Sequence, residues 1–314
     1  MIKLAIIGLG TIGNRILRAA AGHPDIEVVA VYDLATVQLT DPAYHNVQVE
    51  KSAQALVQRG DVDIVYIGTP PATHTQYCHL ALDANKAIWC EKPLAVDIQE
   101  AEQLVARLAD SNIESAVNLS LASSPVVRQI EQLMADIENR DILSVDFQFH
   151  YSSWPRRWQA GASNWLCLPE QGGFLREVYS HFVFLHQRLI GDLQLLNSQI
   201  EYQREGYAET YVQANYCTDN IPVRLQGVIG GNGPDTNNWI VYTKDKSIHF
   251  SGFRALKVSV DNCWQEQPIS LEGDLDVTQL SEVVKMMRGE KHKLASFEEA
   301  LKVQKVVEAL LVKG

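Results

Sequence analysis

The first 33 residues of the chain constrain its fold more than any other stretch. The apolar run Ile2–Ile7 stops abruptly at the turn Gly8–Gly13, which reads G-x-G-x-x-G. An apolar run that ends in glycines is typical of a buried parallel strand entering a tight turn. A helical pattern follows over residues 12–21, and a second apolar run, Ile26–Tyr32, ends at Asp33. The stretch therefore predicts a complete βαβ unit with a glycine turn after its first strand.

This turn and the acidic residue after it fit a dinucleotide. Gly8 permits the sharp turn, Gly10 lets the backbone approach a pyrophosphate, and Gly13 lets the helix pack closely on the strand. The free N–H groups and the dipole of the helix favour phosphate. Asp33 lies about 20 residues on, where a carboxylate accepts hydrogen bonds from ribose hydroxyls. Its charge repels a 2′-phosphate and no Arg or Lys occurs in residues 34–37, so the sequence favours NAD(H) over NADP(H).

Strand and helix patterns continue to alternate up to about residue 120. Apolar strand patterns at 62–67, 86–90 and 113–119 are separated by helical segments, which predicts a doubly wound parallel sheet. We therefore expect a Rossmann domain over residues 1–120, with ligands at the carboxyl ends of its strands. The segments expected at those ends are the glycine turn, Thr69-Pro70, Glu91-Lys92-Pro93 and Asn118.

The pattern changes after Ser120. Strands joined by short turns follow one another over about 194–269, which predicts an antiparallel sheet. Ser296 and Glu299 form a capping-box pattern at the start of the last helix. The expected fold class is α/β, with an N-terminal Rossmann domain and a C-terminal α+β domain over 121–314 that carries a mostly antiparallel, open sheet.

Composition and charge argue against several classes of partner. The 314 residues include 27 Lys and Arg against 38 Asp and Glu, so no basic field exists to attract nucleic acid. No apolar run reaches the roughly 18 residues that a membrane span needs, and Met1 leads straight into a strand without a signal-peptide pattern. The five cysteines never form C-x-x-C, and no histidine pair has metal-ligand spacing. We expect a cytoplasmic protein with reduced thiols, no metal and a small-molecule substrate.

Two places carry candidate acid–base residues. Lys92 follows a strand end, where an amine can exchange a proton with a substrate hydroxyl or carbonyl, although a Lys-Pro pair alone is more often a solvated loop. Glu91 is a candidate for orienting Lys92 or for binding the nicotinamide ribose. Glu177 and His181 are four residues apart in a predicted helix over 173–190, so they share a face. Spacing alone favours a helix-stabilising pair over an acid–base pair.

Several motifs resemble the Gfo/Idh/MocA family of NAD(P)-dependent oxidoreductases in their order and spacing, over nearly the whole chain. They are the glycine turn, Thr69-Pro70-Pro71-x-x-His74, Glu91-Lys92-Pro93, the Gly172-Gly173 segment that leads to His181, and Ser296–Ala300. The resemblance implies that Lys92 and His181 are catalytic and flank the substrate. It implies reversible hydride transfer between nicotinamide and a carbon that bears a hydroxyl, commonly on a sugar or cyclitol. It also implies a homodimer or homotetramer formed through the open face of the C-terminal sheet.

The sequence departs from the family at Glu177, where an aspartate is usual, and the extra methylene moves the carboxylate by about 1 Å. Arg176 beside it suggests an ion pair, or a contact with a substrate carboxylate or phosphate. A loop over 152–169 forms either a sugar-stacking wall or a packed surface loop; it holds Trp154, Arg156, Arg157, Trp158 and Trp165.

Two sets of site residues follow. The predicted catalytic and substrate-binding residues are Lys92, Asn118, Arg176, Glu177 and His181. The predicted cofactor-binding residues are Gly8, Gly10, Thr11, Ile12, Gly13, Asp33, Thr69, Pro70, His74, Glu91 and Lys92.

The leading hypothesis is an NAD(H)-dependent oxidoreductase of a small polyol, sugar or related hydroxy compound. One alternative is a reductase of an imine or a conjugated double bond on the same scaffold. Another is a dinucleotide-binding sensor or regulatory subunit without turnover, which would need neither Lys92 nor His181.

Overall fold

The computed structural model describes residues 1–269 and 275–313. The chain divides into two compact units. The first comprises Met1–Ser123 with the described part of Gly273–Lys302, and the second comprises Ser124–Glu272 with the described part of Val303–Gly314. The helices are α1 (Thr11–Ala21), α2 (Ala53–Val57), α3 (His74–Asp83), α4 (Ile98–Ala109), α5 (Pro125–Met134), α6 (Ser163–Leu166), α7 (Ser180–Leu189), α8 (Leu275–Met287) and α9 (Phe297–Lys313).

The first unit is built on a parallel sheet. Its described strands are β1 (Ile2–Ile7), β2 (Ile26–Tyr32), β3 (Gln48–Val49), β4 (Ile64–Ile67), β5 (Ala87–Cys90) and β6 (Ser115–Val117). Their order is β3-β2-β1-β4-β5-β6, and every neighbouring pair is parallel. This is the strand order of a dinucleotide-binding sheet, whose crevice lies between β1 and β4 where the order reverses. The prediction of a doubly wound Rossmann sheet is confirmed.

The edge strand β3 is absent from the sequence prediction. Its two residues, Gln48 and Val49, are exposed and show no alternation, so only their pairing with Ala30 and Val31 of β2 identifies the strand. The predicted strands at 62–67 and 113–119 are shorter in the structure than their apolar runs suggest. Flanking apolar residues are buried without joining the hydrogen-bond ladder.

The described part of Gly273–Lys302 belongs to the first unit. The sequence instead predicts that all of residues 121–314 belong to the C-terminal domain. Leu280 and Val283 of α8 lie in the same hydrophobic cluster as Leu4 and Ile6 of β1. Arg15 of α1 also forms a two-point ion pair with Asp276 in the first turn of α8, with an Nη2–Oδ1 distance of 2.8 Å. An amphipathic pattern shows that a helix packs, but it does not show on which sheet.

The second unit is built on a mostly antiparallel sheet, as predicted. Its described strands are β7 (Ile142–Tyr151), β8 (Gln194–Glu201), β9 (Tyr211–Thr218), β10 (Ile221–Ile229), β11 (Thr236–Thr243), β12 (Ile248–Ser251), β13 (Ala255–Val260) and β14 (Cys263–Glu266). Their order is β14-β13-β12-β11-β7-β10-β9-β8, and β7 with β10 is the one parallel pair among them.

One face of this sheet is packed and the other is open. Residues of β10 alternate strictly between buried and exposed, so that Val223 and Leu225 face inward while Arg224 and Gln226 face outward. The inward face packs on aromatic side chains that precede and form α7, and Phe149 meets Phe182 edge to face at 5.2 Å between ring centroids. Alternation of this kind is typical of an antiparallel sheet with one covered face.

The capping box predicted at the start of α9 is confirmed. Glu299 N donates to Ser296 Oγ at 3.2 Å, and Ser296 N donates to Glu299 Oε2 at 2.9 Å. The five cysteines are free thiols, of which Cys78 and Cys90 are buried. Within residues 1–269 and 275–313, no helix is long and apolar enough to cross a membrane.

Candidate active site

In the glycine turn after β1, packing requires a glycine at two of the three positions but not at the third. Gly8 has a φ of +96°, and a Cβ built on it would lie 2.7 Å from the backbone of Gly68 and Thr69. A Cβ on Gly13 would lie 2.0 Å from the carbonyl oxygen of Gly8. A Cβ on Gly10 would meet no described atom within 4 Å. The backbone at Gly10 therefore faces open space, which fits the close approach of a pyrophosphate.

The start of α1 supplies donors to that space. Gly10 is the residue before the helix, and no side chain caps the first N–H groups, which include those of Thr11 and Ile12. Asn14 holds the turn by donating from Nδ2 to the carbonyl oxygens of Leu9 and Gly10, the second at 3.0 Å. An uncapped helix start with a fixed turn binds anions through backbone N–H groups and the helix dipole. The residues present therefore fit a dinucleotide.

Asp33 is fixed at the end of β2. Its Oδ2 accepts a hydrogen bond from Leu9 N at 2.6 Å, and its Oδ1 accepts one from Ala35 N at 2.8 Å. A carboxylate has about four lone-pair positions, so acceptor capacity for ribose hydroxyls is left. The bond to Leu9 also ties this carboxylate to the glycine turn itself.

His74 connects the two loops that follow β4 and β5. Its ring is fully buried, with Nδ1 2.7 Å from the carbonyl oxygen of Pro93 and Nε2 2.7 Å from that of Thr69. Burial lowers the pKa of His74, against the opposing effect of the two carbonyl acceptors. Both ring nitrogens thus have protein partners. The predicted cofactor contact of His74 is corrected to the positioning of the Thr69-Pro70 loop and of the loop that holds Lys92.

Glu91 is fixed by a network that reaches across the sheet. Its Oε1 accepts hydrogen bonds from Tyr66 Oη and Asn118 Nδ2, both at 2.6 Å. Burial, followed by the charge of Glu91, raises the pKa of Tyr66 well above its ordinary value, so that its hydroxyl stays a donor. Gln279 Nε2 donates to Asn118 Oδ1. The carboxylate beside Lys92 is therefore held in one orientation.

This network adds a role to the one predicted for Asn118. The side chain is 7% exposed and both ends of its amide have partners, so it orients Glu91, while the predicted substrate contact stays a prediction. Sequence reasoning missed Tyr66 and Gln279. A tyrosine within a strand of Ile and Val is a usable signal, because a buried hydroxyl needs a partner. Gln279 has no such signal in the sequence.

Lys92 directly follows Glu91 and is partly buried at the carboxyl end of β5. The peptide bond between Lys92 and Pro93 is cis. Neighbouring strands thus bring the glycine turn, Thr69-Pro70 and Glu91-Lys92 to one edge of the sheet, as the sequence predicts for the first unit.

In the second unit, Glu177 lies on a π-helix, Leu175–Tyr179, that runs directly into α7 and replaces the first part of the predicted α-helix. π-Helical turns have i→i+5 bonds and occur frequently at functional sites. Glu177 is partly buried, and its Oε1 accepts from Gln159 Nε2 at 3.2 Å. His181 is 8% exposed and meets the Phe253 ring edge to face at 5.4 Å.

A buried carboxylate holds the start of this helix. Glu209 Oε1 accepts from Leu175 N at 2.9 Å, whereas Glu209 Oε2 has no hydrogen-bond partner among the described residues. A Cβ on Gly173 would lie 2.3 Å from Glu209 Oε2, and a Cβ on Gly172 would lie 2.2 Å from Leu166 O. The Gly-Gly pair therefore gives room to Glu209 and to the preceding loop. Burial raises the pKa of Glu209 to about 7.

Arg176 belongs to the protein's own framework. Its guanidinium forms a two-point ion pair with Glu308 of α9, at 2.6 Å from Nε and 2.7 Å from Nη2. Its Nη1 donates to the carbonyl oxygens of Pro169 and Gly172 at 2.6 and 3.1 Å. The predicted contact of Arg176 with a substrate is therefore wrong, and the alternative of an ion pair is what the structure shows.

The sheet order and the glycine turn define a nucleotide-binding unit of the Rossmann class. Comparison with known proteins is more specific. Residues 2–119 match the model of the Gfo/Idh/MocA oxidoreductases, an oxidoreductase family with an NAD-binding Rossmann fold. The resemblance drawn from the motifs is thus confirmed.

Relatives with a known name match parts of the chain. Oxidoreductase P35 of Formosa agariphila is 28% identical over 145 residues, which are 46% of this chain and 45% of that protein. The scyllo-inositol 2-dehydrogenase (NADP+) IolU of Bacillus subtilis is 32% identical over 108 residues, 34% of this chain and 33% of that protein. Both matches span less than half of the relative's length. The dTDP-3,4-didehydro-2,6-dideoxy-α-D-glucose 3-reductase of Actinomadura kijaniata is 27% identical over 76% of this chain and 71% of its own.

Solved structures share the fold over almost the whole chain. One is KijD10, a 3-ketoreductase from Actinomadura kijaniata in complex with NADP and TDP-benzene. The superposition spans 99% of this chain and 97% of KijD10, with a TM-score of 0.82 and 19% identity. A dehydrogenase (MviM) from Clostridium difficile covers 100% of this chain and is covered to 99%, with a TM-score of 0.81 and 15% identity. At these identities the likeness concerns the fold.

Proposed function

We propose that the chain is an NAD(H)-dependent oxidoreductase that transfers a hydride between nicotinamide and a carbinol or carbonyl carbon of a small polyol, sugar or related hydroxy compound. The observation that carries the proposal is the buried network at the end of β5. Tyr66 and Asn118 both donate to one oxygen of Glu91, and this fixes the residue that precedes Lys92. A binding site without turnover has no need of a carboxylate fixed in this way beside a lysine, whereas proton transfer depends on such positioning.

The residues have distinct roles in the proposed reaction. When bound, nicotinamide takes a hydride from the substrate carbon or returns one to it. Lys92 accepts the proton of the substrate hydroxyl, or donates it to the carbonyl in the reverse direction. Glu91 orients Lys92, and His181 with Glu177 orients the substrate hydroxyl, as the family resemblance implies.

Asp33 supports NAD(H) as the favoured cofactor. Its carboxylate is fixed by two backbone N–H groups at the end of β2, and no cationic side chain occurs in residues 34–37 to receive a 2′-phosphate. Two of the relatives carry NADP in their names or complexes, so the preference needs a direct measurement. We expect NADH to bind at least tenfold more tightly than NADPH. Energy transfer from tryptophan to the bound cofactor measures both affinities. Equal or reversed affinities would overturn the preference while leaving the fold unchanged.

Lys92→Ala tests the mechanism. We expect kcat to fall by about 10²- to 10⁴-fold on any polyol or sugar that the wild type turns over, while the Kd for NADH stays within about twofold, because the lysine acts on the substrate proton. Lys51→Ala, which removes an exposed lysine, is the matched control and should keep full activity. A Lys92→Ala protein that keeps its turnover would exclude the mechanism.

A substrate panel separates the remaining alternatives. Polyols, aldoses and cyclitols are assayed with NAD+, and ketones, imines and enones with NADH. Turnover confined to imines or enones would favour the alternative reductase. Tight NADH binding without turnover on any compound would favour a sensor.

A further inference from the structure

We propose that Arg156 binds an anionic oxygen group of the substrate, a carboxylate or a phosphate, so that the preferred substrate is an acidic carbohydrate and not a neutral polyol. This inference rests on the proposed function for the identity of the ligand as a substrate. It concerns the loop that follows β7, all of whose relevant contacts lie within the second unit.

The guanidinium of Arg156 sits in an aromatic cage. Its Cζ lies 4.8 Å from the ring centroid of Trp158, 5.4 Å from that of Tyr151 and 5.6 Å from that of Trp154. Trp154 is itself anchored, because its Nε1 donates to Leu166 O at 3.0 Å. Aromatic faces attract the cation and exclude water from its flanks, which strengthens any charge interaction made there.

The cage leaves the end of the guanidinium unused. Gln159 Oε1 accepts from Arg156 Nε at 2.9 Å and fixes the plane of the group. Within residues 1–269 and 275–313, Nη1 and Nη2 of Arg156 make no hydrogen bond or ion pair. A planar fork of free N–H donors matches a carboxylate or a phosphate in a two-point arrangement.

Arginines of this chain that pair with carboxylates of the protein show the contrast. Arg176 uses its fork on Glu308, Arg224 on Asp146, and Arg59 on Glu50 and Asp61. In these cases the guanidinium stabilises the fold through carboxylates of the protein. Arg156 is held instead by Gln159 and by three aromatic rings, and no carboxylate pairs with it among the described residues. The geometry therefore points to a ligand for the free fork.

The Arg156 guanidinium is linked through one amide to the helical segment that carries Glu177. Gln159 is 2% exposed; it accepts from Arg156 with Oε1 and donates from Nε2 to Glu177 Oε1 at 3.2 Å. A single amide side chain therefore bridges Arg156 and Glu177. The indole of Trp158, which is 51% exposed, provides a face on which a sugar ring can stack beside an anion on Arg156.

The test measures binding of matched sugars to the full chain saturated with NAD+. Glucose, galactose and mannose are each compared with their uronate and their 6-phosphate, by calorimetry and by tryptophan emission. We expect at least one acidic series to bind tenfold or more tightly than its neutral sugars, and the uronate and phosphate arms decide which anion is recognised. No preference for either acidic series would overturn the inference.

Arg156→Gln should abolish this preference, and Arg156→Lys should retain part of it because the charge remains without the fork. Arg157→Gln is the matched control, since Arg157 is the adjacent, exposed arginine and the change in net charge is identical. A wild-type preference that survives in Arg156→Gln would also overturn the inference. Thermal unfolding of each variant verifies folding, and the wild-type comparison stands even if a variant does not fold.

The readouts keep the two proposals apart. Nicotinamide binding and turnover of neutral sugars without any acidic preference would leave the proposed function standing and remove the anion site. Arg156-dependent binding of uronates or sugar phosphates in a protein that does not oxidise any of them would support the anion site and contradict the proposed oxidoreductase activity.

Discussion

At the scale of single residues, the spacing of charged residues along the sequence does not show which partners their side chains contact. Arg176 and Glu177 are adjacent, yet Arg176 is buried against Glu308, 132 residues away, while Glu177 accepts from Gln159. Glu209 is a third buried carboxylate in the same region, and it has a single protein donor to Oε1 and none to Oε2 within the described chain. Ionisation of Glu209 should therefore lower the stability of the folded state.

The stability of the second unit should fall as pH rises through the titration of Glu209. Burial raises the pKa of Glu209 from 4.5 to about 7, with Glu308 acting in the same direction and Arg176 and the Leu175 N–H opposing. The folded state thus holds this proton more tightly than the unfolded state, so the contribution is complete below about pH 4.5 and is lost as pH rises through about 7. Against Glu209→Gln, which stays neutral, we expect the wild type to lose up to about 3 kcal/mol over this range.

Urea unfolding followed by tryptophan emission measures this difference, because five of the six tryptophans belong to the second unit. Glu205→Gln, which alters an exposed carboxylate nearby, should track the wild type at every pH. Wild-type and Glu209→Gln curves that stay parallel from pH 4.5 to pH 8 would show that folding does not raise the pKa of Glu209.

At the scale of elements, the glycine turn and the start of α1 together fit an anion. Packing explains Gly8 and Gly13, since a Cβ on either would overlap backbone atoms. Gly10 has no such reason within the described protein, which fits its predicted place beside a pyrophosphate. The G-x-G-x-x-G pattern already predicts separate roles for the three glycines, and the distances at Gly8 and Gly13 agree with their predicted roles in the turn and in packing.

Gly10→Ala and Gly13→Ala should have different effects. Gly10→Ala places a methyl group in open space at a φ of −66°, so we expect the unfolding free energy to change by less than about 0.5 kcal/mol while the Kd for NADH rises at least tenfold. Gly13→Ala overlaps the Gly8 carbonyl and should cost about 1–3 kcal/mol as well as cofactor binding. Gly60→Ala, at an exposed glycine with open space around its Cβ position, is the control. Unchanged NADH affinity in Gly10→Ala would show that the ligand does not approach this turn.

At the scale of the whole molecule, the second sheet presents an outward face rich in uncharged polar residues. Gln226 lies at its centre, paired in register with Gln213 of β9 and Gln148 of β7. Val228 and Trp264 add exposed apolar area on neighbouring parts of the face. A broad sheet face whose charges are paired with each other, as Arg224 is with Asp146, suits self-association, because it carries little repulsion between identical copies.

We propose that this face forms the homodimer or homotetramer that the family resemblance implies. Light scattering should give a mass at least twice the 35.1 kDa of the chain. Gln226→Glu brings like charges together across a symmetric interface and should shift the mass toward the monomer, whereas Gln54→Glu on the exposed side of α2 should not. A wild-type protein that stays monomeric at high micromolar concentration would contradict the proposal.

The sequence by itself determined the nucleotide-binding part. Apolar runs, glycines and Asp33 act over short distances along the chain, so the parallel sheet, its ligand edge and the positions of Glu91 and Lys92 can be predicted from local patterns. The mostly antiparallel character of the second sheet follows from its short turns for the same reason. The family resemblance then extends these patterns to a chemistry.

Tertiary structure alone decided the contacts that join distant residues. Gln279 meets Asn118 across 161 positions, α8 returns to the first sheet, and Glu308 takes the guanidinium that the sequence leaves open to a substrate. The π-helical turn and the free fork of Arg156 likewise depend on what surrounds each group in space. No periodicity or spacing encodes such partners, because packing selects them after the elements have formed.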